Sequence, residues 1–326
     1  MSPLQFLCSR NGKRLLAALL ILTFVHMVYS GVYKPLFVLT GETFGQLQEE
    51  MEPLRLLIGE GRSITLSNPR QYGPVFLATM MPVLLLTDRA LLIERTAWVF
   101  CIVAIGIAFV LTVKMLPVPE KYRNSFRMLL GILWFNFSSL YYILGVKGVE
   151  AWELLLISIA CLALARRKEF QEFHAGIAIA AATLIKLLPG IFFVPLLIRN
   201  PKAFWKGIAW LFVLLLMGQF LFGKWIGLAY LPGVLRSGAG PESWAAAHFE
   251  NNSLKGMVYK WFSGFESMPD YPQLFQLAPE TAQAAFICSA MLQVLLMISI
   301  VWLLWRERKQ QNRDATLRAF GLTSGA

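Results

Sequence analysis

Long apolar runs, separated by two polar stretches, dominate the pattern of the chain. Four runs are close to the 20 residues that a helix needs to cross a bilayer, and they cover residues 15–33, 97–116, 204–222 and 282–305. Shorter apolar runs cover residues 74–86, 128–144, 154–165 and 174–198. The pattern predicts an all-α integral membrane protein, with helices packed as one bundle in a single domain of residues 1–326. By length, the chain has room for roughly seven to nine membrane helices.

The two polar stretches are predicted to be long external loops, loop 1 at residues 34–73 and loop 2 at residues 223–281. Loop 1 contains apolar residues at helical spacing: Phe44, Leu47, Met51, Leu54 and Ile58. Charged residues fill the other face, so this segment is predicted to be an amphipathic helix in the membrane interface. Loop 2 is rich in Gly, Pro, Trp and Tyr.

Short basic clusters beside the apolar runs predict which helix ends face the cytoplasm. They are at residues 10–14, 121–127, 166–168 and 306–313. Cytoplasmic loops carry an excess of lysine and arginine, so each cluster is placed inside, with residues 306–326 as a cytoplasmic tail. Only one crossing then fits between residues 73 and 121. Residues 74–86 are therefore predicted to be a re-entrant or interfacial helix, and the alternative topology makes them a full crossing.

Composition narrows the classes of function. Hydrophobic residues make up 57 % of the chain and charged residues 15 %, as is typical of a membrane protein surrounded by membrane lipids. The net charge of +11 resides in clusters beside the apolar runs, so it requires no nucleic-acid partner. The four cysteines and three histidines show no metal-ligand spacing. We therefore expect no disulfide, no metal and no cofactor.

A lysine lies in the middle of one apolar run. Lys186 is followed three residues later by Pro189, and basic residues flank the run on both sides. A charge at the centre of a bilayer is costly unless it faces water or an anion. Two short helices meeting near Lys186 and Pro189 would form a broken hairpin, because proline interrupts a helix. The lysine would then face an external cavity; the alternative is that its ammonium snorkels to a lipid headgroup.

Polar residues of both loops are predicted to lie on the same side of the membrane as Lys186. Loop 1 contributes Glu42, Glu49, Glu50, Arg70 and Tyr72, loop 2 contributes His248, Asn251 and Ser253, and a short external turn predicted at residues 146–153 adds Glu150 and Glu153. Carboxylates beside cations at a membrane surface suit transfer of a sugar from a lipid-phosphate donor. A carboxylate would take the proton of the acceptor hydroxyl, and a cation would neutralise the departing phosphate. The simpler alternatives are a solvated helix face for the glutamates and an interfacial role for His248.

Three segments resemble the membrane glycosyltransferases of family 87. They are AGIAIAAATLIKLLPGIFFVPLLIRNPKAFWKG (residues 175–207), YGPVFLATMMPVLLL (72–86) and HFENNSLKGMVYKW (248–261). They are similar to the family's Lys-x-x-Pro hairpin, its Tyr-x-Pro segment and its Asn-x-Ser-Leu segment. The resemblance implies a GT-C fold and a polyprenyl-phosphate-linked sugar, such as mannose or arabinofuranose, as donor. It also implies inverting transfer to a glycan or glycolipid acceptor of the cell envelope, on the external face of what we expect to be a bacterial inner membrane.

The chain departs from the family pattern in loop 1. Related chains place an aspartate early in this loop, whereas residues 31–87 contain none. We therefore predict that Glu42, Glu49 or Glu50 is the catalytic base. The predicted substrate-binding residues are Lys186, Arg70, Tyr72, Glu150, His248, Asn251 and Ser253. Related chains usually also continue beyond the position of Ala326 through further membrane helices, so we expect this sequence to be a short variant, a fragment or an inactive relative. The alternatives to an enzyme are a catalytically inactive membrane partner or scaffold and a lipid-linked-sugar transporter, but a transporter would more often show paired broken helices.

Overall fold

The structure is a computed structural model, and it describes residues 3–33, 73–86, 90–115, 118–137, 144, 150–166, 169–223, 226–232, 254–264 and 279–307. Within these ranges the ordered elements are helices, and no strand is present. The amphipathic helix predicted in loop 1 lies outside the described residues. The predicted all-α class is confirmed.

The described residues form eleven α-helices, numbered here in chain order. They are α1 (Pro3–Cys8), α2 (Arg10–Met27), α3 (Pro74–Leu86), α4 (Ala90–Met115), α5 (Arg123–Phe135), α6 (Glu150–Arg166), α7 (Glu169–Thr183), α8 (Phe193–Arg199), α9 (Pro201–Phe222), α10 (Leu254–Phe262) and α11 (Pro279–Glu307). A π-helical turn, Val28–Tyr33, extends α2, and the 3-10 helices Glu120–Tyr122 and Leu188–Phe192 precede α5 and α8.

Four helices of the described part are long and apolar enough to cross a membrane. Their apolar segments are Arg10–Gly31, Arg95–Met115, Pro201–Phe222 and Glu280–Leu303. These segments coincide with the four long apolar runs of the sequence. Large apolar side chains such as Phe220 and Leu295 are exposed on them, as a surface in contact with lipid requires. The chain is therefore an integral membrane protein.

Helix α3 is apolar but short. Its 13 residues extend about 20 Å, which is less than the roughly 30 Å thickness of the hydrocarbon core. The length fits the predicted re-entrant or interfacial helix. Which side of the membrane each loop faces remains a prediction.

Several predicted boundaries are wrong. The external turn predicted at residues 146–153 overlaps α6, which begins at Glu150 and carries two carboxylates in its first turn, where the helix dipole favours them. The apolar run predicted to continue to residue 144 leaves the helix at Asn136, whose side chain donates to the Ile132 carbonyl at 2.8 Å. Loop 2 ends earlier than predicted, because α11 begins at Pro279. The loop also contains helix α10.

Helix α7 packs between α6 and α9, and this packing fixes the position of its C-terminal end. The crossing with α9 is closest at two glycines: a Cβ added at Gly176 would lie 2.7 Å from the Gly207 nitrogen and 2.8 Å from the Ala203 oxygen. Small residues allow such close approach of two helix backbones. Ala175, Ala178 and Ala180 of α7 are buried in the same core.

Candidate active site

The run that holds Lys186 is broken where the sequence predicts. Helix α7 ends at Thr183, and the 3-10 helix that contains Pro189 begins at Leu188. Proline supplies no N–H and disfavours the α conformation in the residue before it, so the helix cannot continue through this position. Lys186 therefore lies in a short non-helical turn between two helical segments.

The turn brings Lys186 to the first turn of α6. The Lys186 ammonium donates a hydrogen bond to the Glu150 carboxylate, with 2.6 Å between Nζ and Oε1. The Lys186 side chain is 34 % exposed and that of Glu150 is 32 % exposed. Two residues predicted separately as substrate-binding are thus partners in one ion pair, which remains accessible from one side.

A second carboxyl group lies one turn further along α6. Glu153 is only 7 % exposed, and its Oε1 has no hydrogen-bond partner within the described part of the chain. The charges of Lys186 and Glu150 both act on it. Glu153 was not among the predicted substrate-binding residues. The sequence could have indicated that Glu153 lies beside Glu150, because residues three apart share a face of a helix.

The ends of both long loops meet at this turn. The Gly73 N–H, at the end of loop 1, donates to the Ile185 carbonyl at 2.9 Å. A Cβ at position 73 would lie 2.0 Å from the Leu184 oxygen and 2.9 Å from the ring of Tyr230, so the approach requires glycine. Tyr230 belongs to the first part of loop 2 and is buried. The loops therefore leave the described core close to Lys186.

The other predicted site residues lie outside the described residues, and their roles remain predictions. They are Glu42, Glu49, Glu50, Arg70, Tyr72, His248, Asn251 and Ser253. Tyr72 is covalently bonded to Gly73, which is anchored at the turn. Among the residues that the structure does describe, no group of three His, Cys, Asp or Glu side chains is arranged to hold a metal ion.

Comparison with known proteins identifies the family. A profile of glycosyltransferase family 87 matches residues 71–325, more than three quarters of the chain. No curated protein and no solved structure gives a match. The matched segment includes Gly73, both carboxyl groups of α6 and Lys186, and a helical membrane architecture is consistent with a GT-C-type enzyme. The chain therefore belongs to glycosyltransferase family 87 and is a membrane glycosyltransferase.

Proposed function

We propose that this glycosyltransferase moves a sugar from a polyprenyl-phosphate donor to a glycan or glycolipid acceptor of the cell envelope. We place the reaction on the external face of a bacterial inner membrane and propose inversion at the anomeric carbon. The observation that carries the proposal is the ion pair of Lys186 and Glu150 at the broken helix, in which each side chain is about one third exposed. A lipid-borne phosphate is an anion that can reach such a cation from within a membrane.

Lys186 is the proposed contact to the donor phosphate. As the bond between the sugar and the phosphate breaks, negative charge builds up on the leaving phosphate, and a positioned ammonium stabilises it. Without donor, Glu150 holds the ammonium 2.6 Å away and avoids an unpaired, half-buried charge. On binding, a phosphate oxygen would take over hydrogen bonds of this ammonium.

A carboxylate of loop 1 is the proposed base that accepts the proton of the acceptor hydroxyl. The acceptor hydroxyl oxygen attacks the anomeric carbon from the face opposite the phosphate, and its proton passes to a carboxylate, for which we propose Glu42, Glu49 or Glu50. The new carbon–oxygen bond forms as the bond to the phosphate oxygen breaks, and the electron pair leaves with polyprenyl phosphate. A single displacement of this kind inverts the anomeric centre. The anchoring of Gly73 beside Ile185 supports a position of loop 1 close to the phosphate.

Five other loop residues are proposed to bind the sugar or the phosphate. They are Arg70, Tyr72, His248, Asn251 and Ser253. Arg70 offers a cationic fork that suits phosphate oxygens, and the others offer hydroxyl, amide or imidazole groups for sugar hydroxyls.

Donor binding to two variants tests the proposal. Glu150→Gln keeps the Lys186 cation and removes the competing carboxylate, so it should bind the polyprenyl-phosphate-sugar donor at least as tightly as the wild type. Lys186→Met combined with Glu150→Gln removes both charges and leaves no unpaired carboxylate at position 150. Relative to Glu150→Gln, it should lose about 2–3 kcal/mol of binding free energy, or roughly 30- to 150-fold in Kd, because a charge-assisted contact is lost.

The comparison separates a phosphate contact from a structural lysine. Both variants are measured in the same detergent, and only protein with a wild-type elution profile is compared. Lys186→Arg should recover part of the affinity, because it keeps the charge with a different geometry. Equal donor affinity of Glu150→Gln and the double variant would show that Lys186 does not bind the phosphate, and would favour the inactive scaffold.

A further inference from the structure

A second cationic site lies between α2 and α5, on elements other than those that hold Lys186. It is a cleft of about 580 Å³, which we call the basic cleft, lined by Arg10, Lys13, Arg14, Ala17, Asn124, Arg127 and Met128. Arginine and lysine line both of its walls, three from α2 and one from α5. The α2 wall precedes the segment that matches the family profile, so this wall is a feature of this chain outside the match.

The two walls are held together by specific contacts. The Ser125 hydroxyl of α5 donates to the Leu7 carbonyl of α1 at 3.1 Å. Deeper along the helices, the rings of Phe24 and Phe135 meet edge to face with 5.4 Å between centroids. At the other end, the Ser9 side chain caps α2 by accepting from the Gly12 N–H at 3.1 Å. The contacts of Ser125 and Phe135 place the α5 wall of the cleft beside the start and the middle of the first membrane-spanning segment.

The four cations of the cleft have no acidic partner in the part of the chain that the structure describes. Within the described residues, none of the four makes an ion pair with a carboxylate, whereas nearby Arg123 pairs with Glu120 at 3.4 Å. Cations that share one small cleft repel one another, and a bound anion relieves this repulsion. Among the described residues no carboxylate neutralises these four side chains, so the cleft is suited to binding an anion.

The position of the cleft and its apolar lining indicate the kind of anion. Arg10 begins the first membrane-spanning segment, so the cations lie at the depth where lipid headgroups meet the hydrocarbon. Ala17 and Met128 add apolar surface on the membrane side, and exposed Leu15 and Leu129 continue along the two helices. A lipid, with its phosphate next to an acyl chain, can contact both the cations and the apolar surface beside them. A nucleic acid or a soluble phosphate would leave the apolar surface without a contact.

We propose that the basic cleft binds the headgroup phosphate of an anionic membrane phospholipid, whose acyl chains follow the groove between α2 and α5. Basic pockets between membrane helices are suited to such headgroups, since each lysine or arginine near an anionic lipid adds to the attraction. The site differs from the proposed donor site in its residues, its helices and the role of the lipid, which is not consumed.

Lipid binding to a cleft variant and a matched control tests this proposal. Arg14→Gln with Arg127→Gln removes one cation from each wall. Lys121→Gln with Lys202→Gln removes the same charge from two exposed lysines beside helix ends that do not line the cleft. Retention of phosphatidylglycerol, with phosphatidylcholine as the neutral reference, is measured by native mass spectrometry. The cleft variant should bind phosphatidylglycerol about 10- to 30-fold more weakly than the wild type, and the control should match the wild type.

A second measurement uses the unaltered protein, because loss of positive charges can change membrane insertion. A photoactivatable phosphatidylglycerol probe should label the peptides that contain residues 10–17 and 124–128 in preference to those around residues 121 and 202. Equal loss of phosphatidylglycerol binding in both variants, or labelling without preference, would contradict the proposal. It would show that anionic lipid binds to positive surface charge in general and not to the cleft. Competition by inorganic phosphate as effective as that by the lipid would assign the cleft to a soluble anion and overturn the lipid proposal.

Discussion

Replacing Lys186 with methionine should destabilise the protein, because it leaves Glu150 without its partner. The two groups are 2.6 Å apart and each side chain is about one third exposed. Fully exposed ion pairs contribute about 0–1 kcal/mol, and breaking a fully buried pair costs about 3–5 kcal/mol. The intermediate burial of this pair gives an expected loss of about 2 kcal/mol in the free energy of unfolding.

The carboxyl groups of α6 determine how much of this loss can be recovered. In Lys186→Met, the Glu150 carboxyl group loses its ion-pair partner and lies one turn from the buried Glu153. Adding Glu150→Gln removes the unpaired charge while keeping the shape of the side chain. The double variant should therefore regain about half of the lost stability, since replacing both members of a pair costs less than removing one.

Thermal unfolding followed by tryptophan fluorescence in detergent measures both effects. With an unfolding entropy of about 2.1 cal/mol/K per residue, a loss of 2 kcal/mol lowers the Tm of a 326-residue chain by about 3 °C. Glu150→Gln alone is the control for changes at that position. If Lys186→Met unfolds at the wild-type temperature, the pair contributes nothing to stability. If the double variant is no more stable than Lys186→Met, packing of the lysine stem explains the loss, and not the unpaired charge.

Three further predictions concern packing, catalysis and topology. Gly176→Ala should destabilise the α7–α9 crossing by about 1–3 kcal/mol in thermal unfolding, whereas Gly106→Ala, with open space around the added Cβ, should be neutral or slightly stabilising. Glu→Gln at one of the three loop 1 glutamates should abolish turnover and leave donor binding nearly intact, and wild-type rates in all three would place the base elsewhere. A cysteine at position 123 should not react with an impermeant thiol reagent added from outside; labelling there would make α3 a full crossing.

The membrane spans were predictable because the lipid environment determines the composition of a spanning segment directly. A helix in hydrocarbon must be apolar over about 20 residues, so 97–116 and 204–222 could be read without knowledge of their neighbours. The break at Lys186 was predictable for a local reason as well, since proline interrupts a helix through its own covalent structure. Local chemistry decided both features.

The ion pair and the start of α6 could not be predicted from local sequence patterns, because both depend on how helices pack. Lys186 and Glu150 are 36 positions apart, and their contact depends on how α6 and α7 pack. The acidic residues from 150 to 153 look like a polar turn in the sequence, but the helix dipole and the packing of Trp152 place them in the first turn of a helix. From the sequence, the residues of the basic cleft could be recognised only as positive charges beside a membrane span. The cleft itself could not be predicted, because its second wall belongs to α5, which is distant in sequence.

The hydrogen bond between Gly73 and Ile185 has a consequence for how the enzyme can diversify. It joins two backbones, so substitutions in loop 1 other than at position 73 do not remove it. Loop 1 side chains that take no part in the reaction can be exchanged while the last residue of the loop stays attached beside the lysine. Under the proposed function, the end of loop 1 at Gly73 would stay constant beside the donor phosphate, and residues remote from Gly73 could vary with the acceptor. A new acceptor preference would then arise by substitutions in loop 1, while the turn that contains Lys186 keeps its proposed contact to the donor phosphate.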